Sequence, residues 1–332
     1  MFCSTICQYH TAFAILLVLL YNIRIENTTE KGLQVGNNFD SVLVKSDKRC
    51  YTKDESIRKE VTRLFEYTPG TYEIMDAHSH IFPAKIAEKA TNSIGSFYDI
   101  PMSETGSPEE LLRRGAEIGT ARYLVCSVAT TAAQVASIND FIAAQCAAHP
   151  EFFGFGALHP ACEDLAGEVE QLLARGLHGV KLHPDFQLFD IDSADAYRIY
   201  ELIAGRLPVL IHMGDDRYSY SHPERLAKVL RDFPELKVIA SHLGGYRCWE
   251  TAKQLLRGQE NVVFDTSSSL PMIDAAYAKE LILGYGVERC MFGTDFPMWR
   301  PVEELERFLS LGLSEEQNRR ILSGTFREFF GL

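Results

Sequence analysis

The stretch Ile74–Pro83, IMDAHSHIFP, sets two histidines one residue apart just where an apolar run gives way to Phe-Pro. On an extended strand residues i and i+2 face the same side, so a strand that continues through Ser79 projects His78 and His80 together. That is the geometry of a pair of metal ligands. Two histidines in a surface turn would look the same, so the reading depends on what the rest of the chain adds.

From Met75 onward short apolar runs alternate with amphipathic stretches. The runs Tyr72–His78, Ala121–Val128, Phe152–Leu158, Gly179–His183, Pro208–His212, Lys237–Ser241, Asn261–Asp265 and Arg289–Gly293 read as eight strands. They are near-continuous Val/Ile/Leu/Phe segments, as expected of parallel strands covered on both faces. Helix-period segments lie between them at Thr131–His149, Glu163–Arg175, Ala194–Gly205, Pro223–Phe233 and Ala275–Tyr285. Before the second strand, Ser107-Pro108-Glu109-Glu110 supplies an N-cap, a first-turn proline and the Glu that closes a capping box. Eight such alternations over about 255 residues predict an α/β fold, a closed (β/α)8 TIM barrel. The rival, a doubly wound open sheet, often announces itself with G-x-G-x-x-G after a strand, and none occurs here.

The barrel gives the first histidine pair its company. PVLIHMG ends the fifth strand on His212, KVIASHLGG ends the sixth on His242, and CMFGTDFP ends the eighth on Asp295. All are C-terminal strand ends, the face on which barrel enzymes carry their active sites. The chain has only ten histidines, so their gathering at these ends points to one metal site.

MDAHSHIFP, VLIHMG, VIASHLGG and FGTDFP, taken as an ordered set, resemble the metal-dependent amidohydrolase superfamily. The resemblance is closest to the amidohydrolase-related branch that includes aminocarboxymuconate-semialdehyde decarboxylase and related non-oxidative decarboxylases. It covers roughly Ile74 to Leu332 and leaves the first 70 residues out. Carried over position by position, it makes His78, His80, His212 and Asp295 the ligands of one divalent metal ion and places His242 beside the metal-bound water. Three imidazoles, a carboxylate and a position left for water suit Zn²⁺, while N/O ligation also admits Mn, Fe or Co. His242 and Asp295 are then the groups that shuttle protons.

Other residues refine the site. Lys181 and His183, two apart at the end of the fourth strand, share a face; in some amidohydrolase branches a carboxylated lysine from this strand bridges two metals, which makes Lys181 the candidate for a second-metal bridge. His183 reads as a substrate contact, and Asp76 either orients a neighbour or simply begins the strand. Substrate contacts are expected from the loops after the fifth, seventh and eighth strands: Asp215 to Tyr220, Thr266–Ser269 and Met298-Trp299-Arg300. Arg217 is the first choice to clamp a substrate carboxylate, because a guanidinium pairs with it bidentately. A solvated arginine and a packed Trp299 are the bland alternatives. Phe329-Phe330 anchors the last helix to the barrel or, left exposed, serves a homodimer contact.

Composition bounds the function. With 46% hydrophobic and 23% charged residues the chain is globular, and its net charge of −12 argues against a nucleic-acid partner. Residues 1–70 carry nine basic and eight acidic side chains, so the excess of acid lies in the rest. Eight scattered cysteines form no C-x-x-C pair, and a reducing cytoplasm is the simplest compartment. Ala12–Tyr21 is an apolar run of ten residues, short of the about 20 that span a membrane. No Lys or Arg precedes Arg24, which departs from a secretory signal, and no stable membrane association is expected. Asn27-Thr28-Thr29 fits the glycosylation triplet, which matters only in a secreted chain. Residues 25–70 are polar without sustained period, so 1–70 reads as a poorly structured, dispensable extension with one short helix around Asp54–Tyr67, and 71–332 as the barrel, with Met75 as a natural start.

Two reactions suit one such site. In hydrolysis a metal-activated water attacks an amide, ester or lactone of a small molecule; in non-oxidative decarboxylation a small unsaturated or aromatic acid loses CO₂ as a proton reaches carbon. The ligand set alone does not separate them. A catalytically silent metal-binding barrel is the third reading, although no expected ligand is missing.

Overall fold

The computed structural model describes Ile25–Thr29, Gly32–Val35 and residues 67–332. The chain divides into two units, residues 1–66 and 67–332. In the first, β1 (Ile25–Thr29) and β2 (Gly32–Val35) pair antiparallel, with Thr28 opposite Leu33 and Thr29 opposite Gly32. The polar sequence, without a sustained period, predicts no strand here; its β-branched residues nonetheless favour the pleated backbone. The apolar run Ala12–Tyr21 and the helix expected from Asp54 lie outside the described residues, except for Tyr67, which is in no helix.

The second unit opens with β3 (Ile74–His80), followed by α1 (Ala84–Tyr98), α2 (Pro108–Ala116), β4 (Thr120–Cys126) and α3 (Val135–Ala148). Then come β5 (Phe152–Gly154), β6 (Gly156–Ala157), α4 (Leu165–Ala174), β7 (Val180–Leu182), the single turn α5 (Pro184–Gln187) and α6 (Ala194–Ile203). The rest is β8 (Val209–Ile211), α7 (Pro223–Asp232), β9 (Val238–Ala240), α8 (Trp249–Leu256), β10 (Val262–Asp265), α9 (Ala275–Tyr285), β11 (Cys290–Met291), α10 (Pro301–Leu309), α11 (Glu315–Arg319) and α12 (Thr325–Phe330).

All sheet pairing in this unit is parallel, in the orders β3-β4-β5 and β6-β7-β8-β9-β10-β11. Phe155 joins the two. Its N–H donates to the Val125 carbonyl (2.9 Å), while the N–H of Gly156 donates to that of Gly179 (2.9 Å), so one run pairs with both neighbours. The ring closes where the Ala77 N–H donates to Phe292 O (2.8 Å) and that of His80 to Phe296 O (2.7 Å). Eight strands therefore form a (β/α)8 barrel, and each lies within or overlaps one of the eight expected runs.

Inside the ring, Met75, Ala77, Leu124, Phe153, Phe155, Leu210, Ile239 and Met291 form a buried cluster with Phe326. Phe330 packs on Phe153 and Phe155 (ring centroids 4.6 and 5.9 Å apart), so α12 is anchored to the barrel as expected. A larger apolar cluster fills the layer between strands and helices.

Several elements differ from expectation for identifiable reasons. Helix α1 buries only Ala87, Thr91 and Gly95, has no acidic residue in its first turn and no side-chain cap, so its sequence carries neither an apolar stripe nor a start signal. Gly95 permits a close approach: a Cβ there would sit 2.9 Å from Ile100 O. The Ser107 hydroxyl accepts from the Glu110 N–H (3.2 Å), but the capping box is half made, because the Glu110 carboxylate turns to Arg113 instead. The folded unit also begins before Met75: Ile74 is fully buried and pairs with Thr120. No helix among the described residues is long and apolar enough to cross a membrane.

Candidate metal centre

The floor of the site starts at Asp76. Its buried carboxylate accepts from the N–H groups of His78 and Thr294 (both 3.0 Å) and the hydroxyls of Ser79 (2.8 Å) and Thr294 (2.6 Å). Burial raises its pKa to about 6 against these four donors. Asp76 thus ties β3 to the loop after β11 rather than merely opening a strand. The β3–β4 register shifts between Asp76 and Ser79, a local irregularity of the kind that re-aims side chains beside active sites.

His78 and His80 then meet as their spacing predicts, Nε2 to Nε2 at 3.2 Å. Asp295 Oδ1 lies 3.6 Å from His78 Nε2 and 3.4 Å from His80 Nε2. The other His78 nitrogen, Nδ1, lies 3.0 Å from Asp265 Oδ2, which can only accept while ionised, so it carries the proton and leaves a lone pair on Nε2. Burial, reinforced by the Lys181 ammonium, lowers the His78 pKa to about 4. Burial alone would raise the Asp295 carboxyl, but the imidazoles of His78, His80 and His242 hold it well below the usual range. Its Oδ2 accepts from Ser268 Oγ (2.5 Å), whose oxygen in turn accepts from Trp299 Nε1 (2.9 Å).

His212 and His242 sit just past the ends of β8 and β9. His242 Nδ1 lies 3.0 Å from the Ser267 carbonyl and His212 Nε2 lies 3.0 Å from the Gly214 carbonyl. Carbonyls only accept, so each of these nitrogens carries its ring's proton. The remaining nitrogens, His242 Nε2 and His212 Nδ1, consequently point lone pairs at each other across 2.9 Å. Burial lowers both pKa values, that of His212 far below normal. The His78 and His242 rings stack with centroids 5.3 Å apart, so the two converging pairs belong to one centre. Facing lone pairs repel unless a proton or a cation lies between them. Buried imidazoles with a carboxylate are a donor set for a divalent metal, which fits here. Three groups of side chains bring ligand atoms within 4.8 Å of one another: His78, His80 and Cys126; His78, His242 and Asp265; and His183, Asp185 and His212. Of the expected ligands, His78, His80 and Asp295 touch directly, and His212 joins through His242.

Two of these residues hold backbone that side chains rarely adopt: φ is +60° at His242 and +56° at Asp295. Ser268 is left-handed as well, at +50°. Such conformations cost on the order of 1–3 kcal/mol and persist where surrounding contacts over-determine them.

A cavity of about 950 Å³ opens above this centre. Its floor holds His78, His80, His183, Asp185, His212, His242 and Asp295; its wall includes Ile94, Phe97, Phe141, Phe186 and Met298. His183 lines it, stacked between Phe186 and His212 (centroids 3.8 and 4.0 Å), with Nδ1 lacking a partner. Lys181, on the same face, is buried with Nζ 3.1 Å from His78 Nε2, and burial lowers its pKa.

The other expected contacts resolve differently. Arg217 does not line the cavity: Nε and a terminal nitrogen donate to both oxygens of Asp215 (2.9 and 2.7 Å), and another donates to the Phe97 carbonyl (2.6 Å). Its guanidinium lies over the Phe97 ring (4.6 Å), so it clamps the end of α1. Trp299 likewise stays outside the lining and braces Ser268. Thr266 to Ser269 are buried, with Ser267 Oγ 3.0 Å from His78 Nδ1 and 2.9 Å from His242 Nδ1, so this loop supports ligands.

Asp265, Asp185 and Tyr98 are not among the residues the sequence singles out, whereas Ser267, expected to contact substrate, supports His78 and His242 instead. Asp265 ends an apolar run just as His212 follows one, a signal present in the chain itself. Tyr98 had none; its hydroxyl lies 3.0 Å from His183 Nε2 and 3.4 Å from His212 Nε2 and, with burial raising its pKa well above normal, keeps its proton.

Comparison with known proteins agrees with this architecture. The amidohydrolase family model matches residues 75–332. No curated protein matches the chain in sequence. Among solved structures the chain is similar to an uncharacterised TIM-barrel protein from Bordetella bronchiseptica, at 20% identity and a TM-score of 0.65, covering 78% of this chain and 98% of that one. A dihydroxybenzoic acid decarboxylase from a Polaromonas species, holding manganese and the inhibitor 2-nitroresorcinol, is 16% identical with a TM-score of 0.60 over 79% and 98% of the two chains. A probable 2-pyrone-4,6-dicarboxylic acid hydrolase from Acinetobacter baumannii, with citric acid bound, is 15% identical with a TM-score of 0.58 over 78% and 100%. The chain belongs to the amidohydrolase family, as a metal-dependent hydrolase or carboxy-lyase built on a (β/α)8 barrel.

Proposed function

We propose that this protein hydrolyses an amide, ester or lactone of a small organic substrate, with one divalent cation held by His78, His80, His212 and Asp295. The observation that carries the reading is the convergence of imidazole lone pairs and the Asp295 carboxylate beneath a cavity of about 950 Å³. When bound, the cation lowers the pKa of a water to about 7 and polarises a substrate oxygen. The protein's own groups do the rest. Asp265 and Ser267 fix the His78 and His242 tautomers. Neutral His242 offers Nε2 to take a proton and return it to the leaving group, and Asp295, kept ionised, relays through Oδ1 while Ser268 holds Oδ2. The apolar wall excludes bulk water, and His183 contacts the substrate.

Zinc is our first choice of cation; manganese shares the N/O preference and occupies the Polaromonas decarboxylase. We favour a single metal, with Lys181 as a buried positive neighbour of His78; elemental analysis giving two metals per chain would instead assign it the bridging role. We assign Arg217 and Trp299 positioning roles. A homodimer is supported by the exposure of Leu283 on α9, outside the cavity lining, and a cytoplasmic location by the five free cysteines among the described residues. Residues 1–70 are proposed to be dispensable for the barrel.

Decarboxylation is the second reading, favoured by the aromatic wall of Phe97, Tyr98, Phe141 and Phe186, which suits a flat aromatic acid. A panel of lactones, amides, esters and aromatic or unsaturated acids, assayed with zinc- and manganese-loaded protein, separates the two. Release of CO₂ without turnover of lactones or amides decides for the lyase; metal binding with no turnover of any kind sinks both. His78→Ala and Asp295→Ala are expected to lose the metal, and His242→Ala to retain it without activity.

A further inference from the structure

The cavity is more than its floor needs, and its mouth has a distinct charge. Helix α1 forms one side of that mouth, contributing Lys85, Ile86, Lys89, Ile94, Phe97 and Tyr98 to the lining. Lys85 and Lys89 are exposed, one turn apart, and face the same opening, while Glu88 between them does not line it. Neither ammonium makes an ion pair among the described residues. The only acidic residues in the lining, Asp185 and Asp295, lie buried on the floor. In a chain of net charge −12, two unpaired cations on a cavity rim are not the default surface. The first turn of α1 adds to them: no acidic residue and no side chain caps it, and its dipole presents positive charge at the end where Lys85 sits. Deeper in the same cavity His183 stacks between Phe186 and His212.

Resting on the function proposed above, we propose that Lys85 and Lys89 form an anion subsite for a second acidic group of the substrate. The substrate class is an organic acid whose cleaved group sits at the histidines, whose flat or apolar middle runs along Phe97, Phe141 and Phe186, and whose distal carboxylate reaches the rim. Ammonium groups contact a carboxylate there as point charges, so the contribution is salt-sensitive.

The test is calorimetric titration of the zinc-loaded full chain with benzene-1,4-, naphthalene-2,6- and biphenyl-4,4′-dicarboxylate, each against its monocarboxylate. At least one dicarboxylate is expected to bind about tenfold tighter than its partner. That advantage should shrink as salt rises and vanish in Lys85→Ala/Lys89→Ala, whose melting temperature, set by buried groups, reports an intact fold. Equal affinities throughout the native series overturn the subsite, and so does a dicarboxylate advantage that survives in the double variant. Because binding is read without turnover, an inactive protein that keeps the preference refutes the hydrolase and lyase readings alone, and an active protein without it refutes the subsite alone.

Discussion

Asp265 does for His78 what no ligand can do for itself: it holds Nδ1 as the protonated nitrogen and leaves Nε2 free toward the centre. Its substitution by Asn keeps the shape and removes the charge that selects this tautomer. Asp265→Asn is expected to weaken metal affinity about 10- to 100-fold, read by competition with a chromogenic chelator; an unchanged affinity would leave His78 needing no orienting partner. Arg217 shows the reverse case, a residue whose chemistry suggested a substrate contact and whose neighbours gave it another task. Asp215 neutralises it and Phe97 O takes one of its donors. Arg217→Ala should therefore loosen the end of α1, seen as faster hydrogen exchange around Phe97 and Tyr98, while a monocarboxylate binds the floor with little change. A selective loss of carboxylate affinity without loosening would restore the clamp.

At the scale of elements, α1 and α10 carry the less obvious physics. α1 packs through Ala87, Thr91 and Gly95, so its backbone approaches the barrel closely while its larger side chains turn to the cavity. In α10, Glu304 is fully buried; Oε1 meets Arg307 at 2.5 Å and Oε2 has no partner. Burial outweighs Arg307 and raises its pKa to about 8 from an ordinary 4.5. A folded-state pKa above the unfolded one means the native state binds the extra proton, so the stabilisation is present below about 4.5, declines as pH rises and is gone above about 8. The melting temperature of the native chain is expected to fall between pH 5 and pH 9, on the order of 5 °C more than that of Glu304→Gln, which stays neutral throughout. Parallel pH profiles for the two proteins would show that Glu304 is ionised in the fold.

For the molecule as a whole, the cation and the starting point of the fold are the two testable features. Stripping the metal leaves the converging imidazoles of His78, His80 and His212 and the Asp295 carboxylate without their common partner. At a thousandfold excess over Kd a bound metal adds about 4 kcal/mol, so chelation should lower the melting temperature by roughly 10 °C in scanning calorimetry. A chain starting at Tyr67 is expected to melt within about 2 °C of the full chain. One starting at Met75 loses buried Ile74 and should be less stable by about 1.5–3 kcal/mol, whereas the exposed Glu73–Arg327 pair adds little. The eight strands were legible because a parallel strand buried on both faces must be apolar along its length, as VLI at Val209–Ile211 and VIA at Val238–Ala240 are. His78, His80, His212, His242 and Asp295 were legible because a barrel gathers the residues at its strand ends, whatever the loops do. Helix α1 was not, since small residues face its neighbour and no cap marks its start. Nor were Asp265 beside His78, 187 residues away, or Tyr98 beside His183, 85 residues away. The linear chain thus specified which residues the barrel would collect. Which nitrogen of each imidazole faces the centre, and that Arg217 clamps α1, emerged only once distant carbonyls and carboxylates had come within hydrogen-bonding distance, because a proton's position on a ring is set by the acceptor it meets.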